Sequence, residues 1–243
     1  MSPADIVPSL PRLVAAGVVD AQLAALAWLL LEDGVPVHVA GPGPAGRDAL
    51  LDALVAALPA DRRPDLAAPA AERRLVRVAG SLAISSPPGL LRAALSATTS
   101  RSGLATTIEA TDLGGVLAVL RAQGLADDEI SFLGAVLVLG ADGEAGNEPG
   151  ADGETGGAAG GPTARVVAAH YLRPLARDAA GHVQRPGPAV LATWDAGRSE
   201  YDHFAWGIYT ELATRARRRA GDLEREHAER TERLWLDTAQ SDV

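Results

Sequence analysis

The chain contains no cysteine and no lysine. The first absence excludes a disulfide framework and any cysteine-based metal site. The second means that every fixed positive charge is an arginine, so no loop here can grip a phosphate with lysine. Aromatic residues make up only 4% of the chain while apolar residues reach 47%, so a core is affordable and must be built from alanine, valine and leucine. Basic residues are outnumbered, and a net charge of −9 argues against general affinity for nucleic acid. Long apolar runs are missing too: the longest, Leu23 to Leu31, is too short to span a bilayer. Met1 to Asp5 lacks the basic and apolar regions of a signal peptide, which makes a cytoplasmic protein with no transmembrane segment the expectation. A length of 243 residues suits one α/β domain with appendages.

What is present begins with Gly41-Pro42-Gly43-Pro44-Ala45-Gly46-Arg47-Asp48. This stretch has the outline of a phosphate-binding loop, G-x-x-x-x-G-K-[ST], with Arg47 at the lysine position and Asp48 at the hydroxyl position. Its frame is the one that gives such a loop meaning: Val35 to Ala40 reads as a buried strand and Ala49 to Leu58 as a helix. A working loop wraps phosphates in successive backbone N–H groups and adds the field of a helix N-terminus. Pro42 and Pro44 have no N–H to offer. Arg47 keeps a positive charge but on a wide planar fork. Asp48 sets a carboxylate where phosphate and magnesium would meet, which repels a bare phosphate although a carboxylate can ligate magnesium. The plain structural alternative is a Gly-Pro turn from strand to helix with Asp48 as an N-cap or first-turn acid.

Elsewhere the pattern alternates. Asp20 is placed to cap a helix from Gln22 to Glu32. Pro59 to Glu72 reads as a linker, Arg73 to Ala79 as a strand, Gly89 to Thr98 as a helix behind Pro87-Pro88, and Leu104 to Ile108 as a β-branched strand. Asp112 starts a helix to Gln123, Asp127-Asp128-Glu129 opens a short one to Phe132, and Gly134 to Leu139 is an apolar run fit for a strand buried on both faces. Strands alternating with helices predict a largely parallel sheet. Ala141 to Thr163, rich in Gly, Ala, Asp and Glu, is expected to be a disordered acidic insert. Its Asp-Gly-Glu triplets lack the ligand spacing of a calcium loop. Beyond it, Ala164–Tyr171 and Ala189–Trp194 predict a pair of strands joined through a loop around Ala180-Gly181-His182. His203 to Asp237 predicts one long helix, with Arg217-Arg218-Arg219 in its middle and Leu234-Trp235-Leu236 near its end. That helix is either a solvated, ion-paired helix or a docking helix for a partner. The five histidines, His38, His170, His182, His203 and His227, show no metal or triad spacing, and His38 on a core strand reads as a hydrogen-bonded structural residue.

Three blocks together resemble the type II/type IV secretion and pilus-assembly ATPases. The first is Trp28-Leu29-Leu30-Leu31-Glu32, then Val37-His38-Val39-Ala40-Gly41, the degenerate loop and Leu50 to Leu54. The second, Leu104 to Asp112, is similar to the family's histidine box, with Glu109 at the histidine position. The third is Val116 to Leu125 leading to Val136–Leu139. The resemblance spans about Gln22 to Trp194 and implies a RecA-like P-loop NTPase sheet flanked by helices, with a C-terminal β-hairpin and a long C-terminal helix appended. Together with the composition of the insert and the pattern of the C-terminal region, it divides the chain into a P-loop core over residues 1–140, the insert 141–163 and the remaining strands and helix over 164–243. It also implies a site made of Gly41, Gly43, Gly46, Arg47, Asp48 and Glu109. The departures all remove chemistry: Arg47, Asp48 and Glu109 replace family residues, and the strand Leu75 to Ala79, followed by Gly80-Ser81, carries no Walker B acid to complete a magnesium shell. The expected function is therefore a binding or regulatory subunit that has lost catalysis, with no catalytic residue, no metal site and no resident cofactor. Its expected partner is a protein, an active ATPase homologue or another copy of itself, and not nucleic acid. Two alternatives stay open: an active NTPase binding ATP and Mg through Arg47 with Glu109 as an acid, or a non-enzymatic scaffold.

Overall fold

The computed structural model describes residues 9–64, 74–98, 102–140, 164–178 and 180–241. The expected insert 141–163 lies outside the described residues, as do residues 65–72 of the expected linker Pro59–Glu72, whose start holds a 3₁₀ turn at Ala60–Arg62.

Three strands form the sheet centre: β1 (Val37–Gly41), β3 (Gly103–Glu109) and β4 (Gly134–Gly140). Nearly all of their residues are buried, as expected for parallel strands covered on both faces. With β2 (Leu75–Leu82) they form the parallel run β2-β3-β1-β4. Val37 and Val138 thus belong to one sheet. The sheet then turns antiparallel through β5 (Arg165–Leu172), β8 (Ala189–Asp195) and β9 (Glu200–His203), giving seven strands in all. A two-residue hairpin of β6 (Ala176–Arg177) and β7 (Val183–Gln184) sits in the β5–β8 connection.

The two sheet faces carry separate cores. Val37, Val39, Leu137 and Leu139 pack with α1 (Leu10–Ala15), α2 (Ala21–Glu32) and α3 (Pro44–Ala57), and with α7 (Tyr209–Ala216) and α8 (Ala220–Ser241). Ala40, Ile108, Val136 and Val138 face α4 (Leu90–Ser96), α5 (Leu113–Ala122) and α6 (Asp127–Ile130). The alternation along each strand follows from the two-residue period of side chains. Helix starts follow local chemistry. The Asp20 carboxylate accepts the Leu23 N–H at 2.9 Å and Asp112 accepts the Gly115 N–H at 2.7 Å, each satisfying a donor that the first turn leaves open.

Two expectations need correction. Strand β2 runs to Leu82 instead of Ala79, because Gly80 takes a left-handed conformation (φ 75°) and the pairing with β3 shifts register between Arg77 and Ser81. The predicted single helix from His203 to Asp237 is two helices preceded by a strand and a 3₁₀ turn at Ala205–Ile208. β9 exists because it continues the sheet: Trp194 pairs with Tyr201, their rings edge to face at 5.1 Å. The helix breaks at Arg217, which is left-handed at φ 58°, and the Arg218 N–H closes the end on the Ala213 carbonyl at 2.8 Å. Arg218 then turns inward to Asp33 at 2.8 Å, so the arginine run is a corner rather than a helix face.

Candidate functional site

The loop sits at the C-terminal end of β1, the central position in the parallel run, and Gly41 pairs in register with Glu109 of β3. The fold thus brings Gly41, Gly43, Gly46, Arg47, Asp48 and Glu109 to one end of the sheet. Open α/β sheets hold ligands at this end.

The local geometry differs from the expected one. Helix α3 starts at Pro44, five residues before the predicted start at Ala49. Proline at the first helical position is pre-set for a helix and lacks the N–H that would go unpaired there, so the helix forms as soon as Gly43 has turned the chain. Gly46, Arg47 and Asp48 therefore lie inside the helix and not in a phosphate-wrapping loop. Asp48 is neither an N-cap nor a first-turn acid, since the first turn contains no acidic residue. The Arg47 N–H is directed at the Gly43 carbonyl, 3.5 Å away, as helix pairing requires.

Arg47 is the unusual residue of the site. It is only 2% exposed, and its guanidinium folds back so that Nη1 donates to the Gly41 carbonyl. Its Nε has no hydrogen-bond partner. A phosphate-gripping residue would project from the loop; this one is tucked beneath it. The glycines have packing reasons of their own. A Cβ on Gly41 would lie 2.8 Å from the Leu139 Cβ, and one on Gly46 would lie 3.2 Å from the Ala164 Cβ. Gly43 faces open space, with nothing within 4 Å of an added Cβ. Leu139 and Ala164 thus crowd the turn from β4 and the start of β5. The sequence pattern does not mark them as site residues, because an apolar strand end and an alanine carry no motif. Glu109 is exposed at the end of β3. The end of β2, now Leu82 followed by Ala83-Ile84-Ser85, carries no acid.

Three of the five histidines bridge separate elements. His38 is fully buried, with Nε2 2.8 Å from the Leu133 carbonyl and Nδ1 2.6 Å from the Thr106 hydroxyl. A carbonyl only accepts, so Nε2 carries the proton and the Thr106 hydroxyl donates to Nδ1. Burial lowers the His38 pKa to about 4. His227 is arranged alike between the Gln22 carbonyl, at 2.8 Å, and the Tyr209 hydroxyl. His203 pairs with Asp20 at 2.7 Å. Among the described residues, no three His, Asp or Glu side chains gather as a metal site. No described helix is long and apolar enough to cross a membrane.

No protein-family model matches the chain, and a search of curated protein sequences finds no match.

Proposed function

We propose that this chain is a RecA-like domain of the secretion and pilus ATPase type that has lost nucleotide chemistry and serves as a binding or regulatory subunit. The observation that carries the reading is Arg47: the one cation at the loop is buried, bound to the Gly41 carbonyl, and enclosed by a helix that already begins at Pro44. An anion-binding loop needs unpaired backbone N–H groups converging on one point. Here two of the loop positions are prolines, and Arg47 spends its N–H inside the helix. The parallel run with the loop strand in its centre supports the RecA-like placement. The absence of an acid where β2 ends supports the loss of catalysis. Exposed Trp206, Trp235 and Leu236 supply apolar surface of the kind that protein partners cover.

Equilibrium binding of labelled ATP and ADP, with and without magnesium, tests this. No saturable binding is expected at micromolar protein, and no hydrolysis above background. The double substitution Arg47→Lys, Asp48→Thr is expected to leave binding undetectable, because α3 still begins at Pro44. Magnesium-dependent ATP turnover that Arg47→Ala abolishes would overturn the reading.

A further inference from the structure

At the other end of the sheet, where the parallel strands begin, lies a cavity of about 940 Å³. Its walls come from the entries to β1 and β3, the end of β5 and the Thr210, Glu211, Thr214 and Arg215 side of α7. Pro36, Leu104, Pro174 and Ile208 make much of its lining apolar. Its volume falls within the range of small-molecule sites, about 300–1,000 Å³.

Four polar side chains, Tyr171, Arg173, Glu211 and Arg215, meet in one wall, and two of them have unused capacity. Arg173 is committed: its Nε lies 3.0 Å from Glu211 Oε2 and its Nη2 2.9 Å from the same carboxylate. Arg215, one turn further along α7, has no such partner. Its Nη2 donates to the Phe132 carbonyl at 2.7 Å and its guanidinium lies 5.4 Å from the centre of the Phe132 ring. No carboxylate pairs with it among the described residues. Tyr171 is 0% exposed, and its hydroxyl has no hydrogen-bond partner. Burial pushes its pKa to about 12, so it keeps a proton that it donates to nothing. Burial, with Arg217 alongside, pushes the Arg215 pKa down, as for a cation short of a counter-charge. A buried donor without an acceptor and a half-buried cation without an anion are both costly. One anion placed between them relieves both.

We propose that this cavity binds a small monocarboxylate with an apolar body, its carboxylate held by Arg215 and the Tyr171 hydroxyl and its body against Leu104, Pro174 and Ile208. Arg215, the guanidinium here without a carboxylate among the described residues, matches a single negative charge, and the N–H donors it does not give to Phe132 are those a carboxylate would accept from. The apolar lining calls for a hydrocarbon body. The cavity and the Arg47 loop occupy opposite ends of the strands, so this inference does not depend on the fate of the nucleotide site.

Titration calorimetry on the full chain tests it, with octanoate and 4-phenylbutyrate as probes and octanol and octyl phosphate as controls. At least one carboxylate is expected to bind at micromolar to millimolar concentration, at least tenfold more tightly than octanol. Arg215→Met is expected to weaken that carboxylate at least tenfold and to leave octanol unchanged. Tyr171→Phe removes only an unpartnered hydroxyl, so it is expected to fold as the parent does and to weaken the carboxylate several-fold. Failure of both carboxylates to bind the folded parent overturns the proposal. So does equal binding of octanol and octanoate, octyl phosphate binding tenfold more tightly than octanoate, or carboxylate affinity that neither variant changes.

Discussion

Single residues here do work that their sequence context disguises. His38 is the clearest case with a measurable consequence. Its folded pKa, about 4, lies below the ordinary value of 6.5 because burial disfavours the charged ring. Above pH 6.5 the ring is neutral in both folded and unfolded chains and contributes no pH dependence. As pH falls from 6.5 to 4 the unfolded chain takes up a proton that the folded chain refuses, so stability declines over that window, by about 3 kcal/mol for this group alone. Urea unfolding between pH 7 and pH 4 should show this decline, and His38→Gln should flatten it. A His38→Gln profile parallel to the parent's would show that other groups set the acid limit. Gly41 offers a second check. Because its Cβ would meet Leu139 at 2.8 Å, Gly41→Ala should cost about 2 kcal/mol through overpacking. Gly43→Ala, into open space, should cost less than about 1 kcal/mol. Equal small losses in urea titrations would indicate that the loop glycines answer to something other than packing. The turn's place was legible, since a glycine-rich stretch between strand and helix is a local signal, whereas Glu109 is picked out by the resemblance to a histidine box and its register with Gly41 is seen only in the sheet. The inward fold of Arg47 was not legible, because it follows from α3 beginning at Pro44 and from a carbonyl acceptor on Gly41, neither of which the motif marks.

At the scale of elements, legibility tracks burial. β4 is a continuous apolar run, and β1 and β3 are short apolar or β-branched stretches, because both faces are covered, and α2 and α5 announce themselves through Asp20 and Asp112. The C-terminal region carries neither signal. β9, Glu200-Tyr201-Asp202-His203, is a polar edge strand whose only reason to extend is pairing with β8. The α7–α8 corner has no glycine or proline: Arg217 takes the left-handed position instead. What defines α8 is a charged seam against α2. Arg230 pairs with Glu32 at 2.9 Å and with Glu226, and it lies 4.3 Å over the Trp28 ring. Arg230 is only 7% exposed, so removing it strands a partly buried carboxylate and uncovers an aromatic face. Arg230→Ala should therefore destabilise by about 2 kcal/mol, short of the 3–5 kcal/mol seen when fully buried pairs are broken, because Glu32 retains some solvent. Thermal or urea unfolding measures it. A loss under about 0.5 kcal/mol would place this pair with ordinary surface ion pairs.

On the scale of the whole molecule, the question is whether the strands after residue 163 are an appendage or part of the fold. The sheet answers through its register. β4 and β5 pair antiparallel from Gly134–Leu172 to Gly140–Arg165, so β4 has a neighbour on each side only when the C-terminal part is present. The core on the α2 face mixes both parts: Leu23, Leu30, Val37 and Leu137 from one, Val166, Leu191, Leu212, Leu223 and Leu234 from the other. A fragment of residues 1–150 would leave β4 as a long apolar edge and α1 and α2 without α8, the combination that drives aggregation. Expressed alone, residues 1–150 and 151–243 should each fail to unfold cooperatively. Refolded together, they should form a one-to-one complex with near-native circular dichroism, because strand pairing and core burial do not require the covalent link, and the link itself contributes only a slowly varying loop-closure term. Cooperative unfolding of residues 1–150 near the melting temperature of the intact chain would show that the first four strands fold without the antiparallel extension.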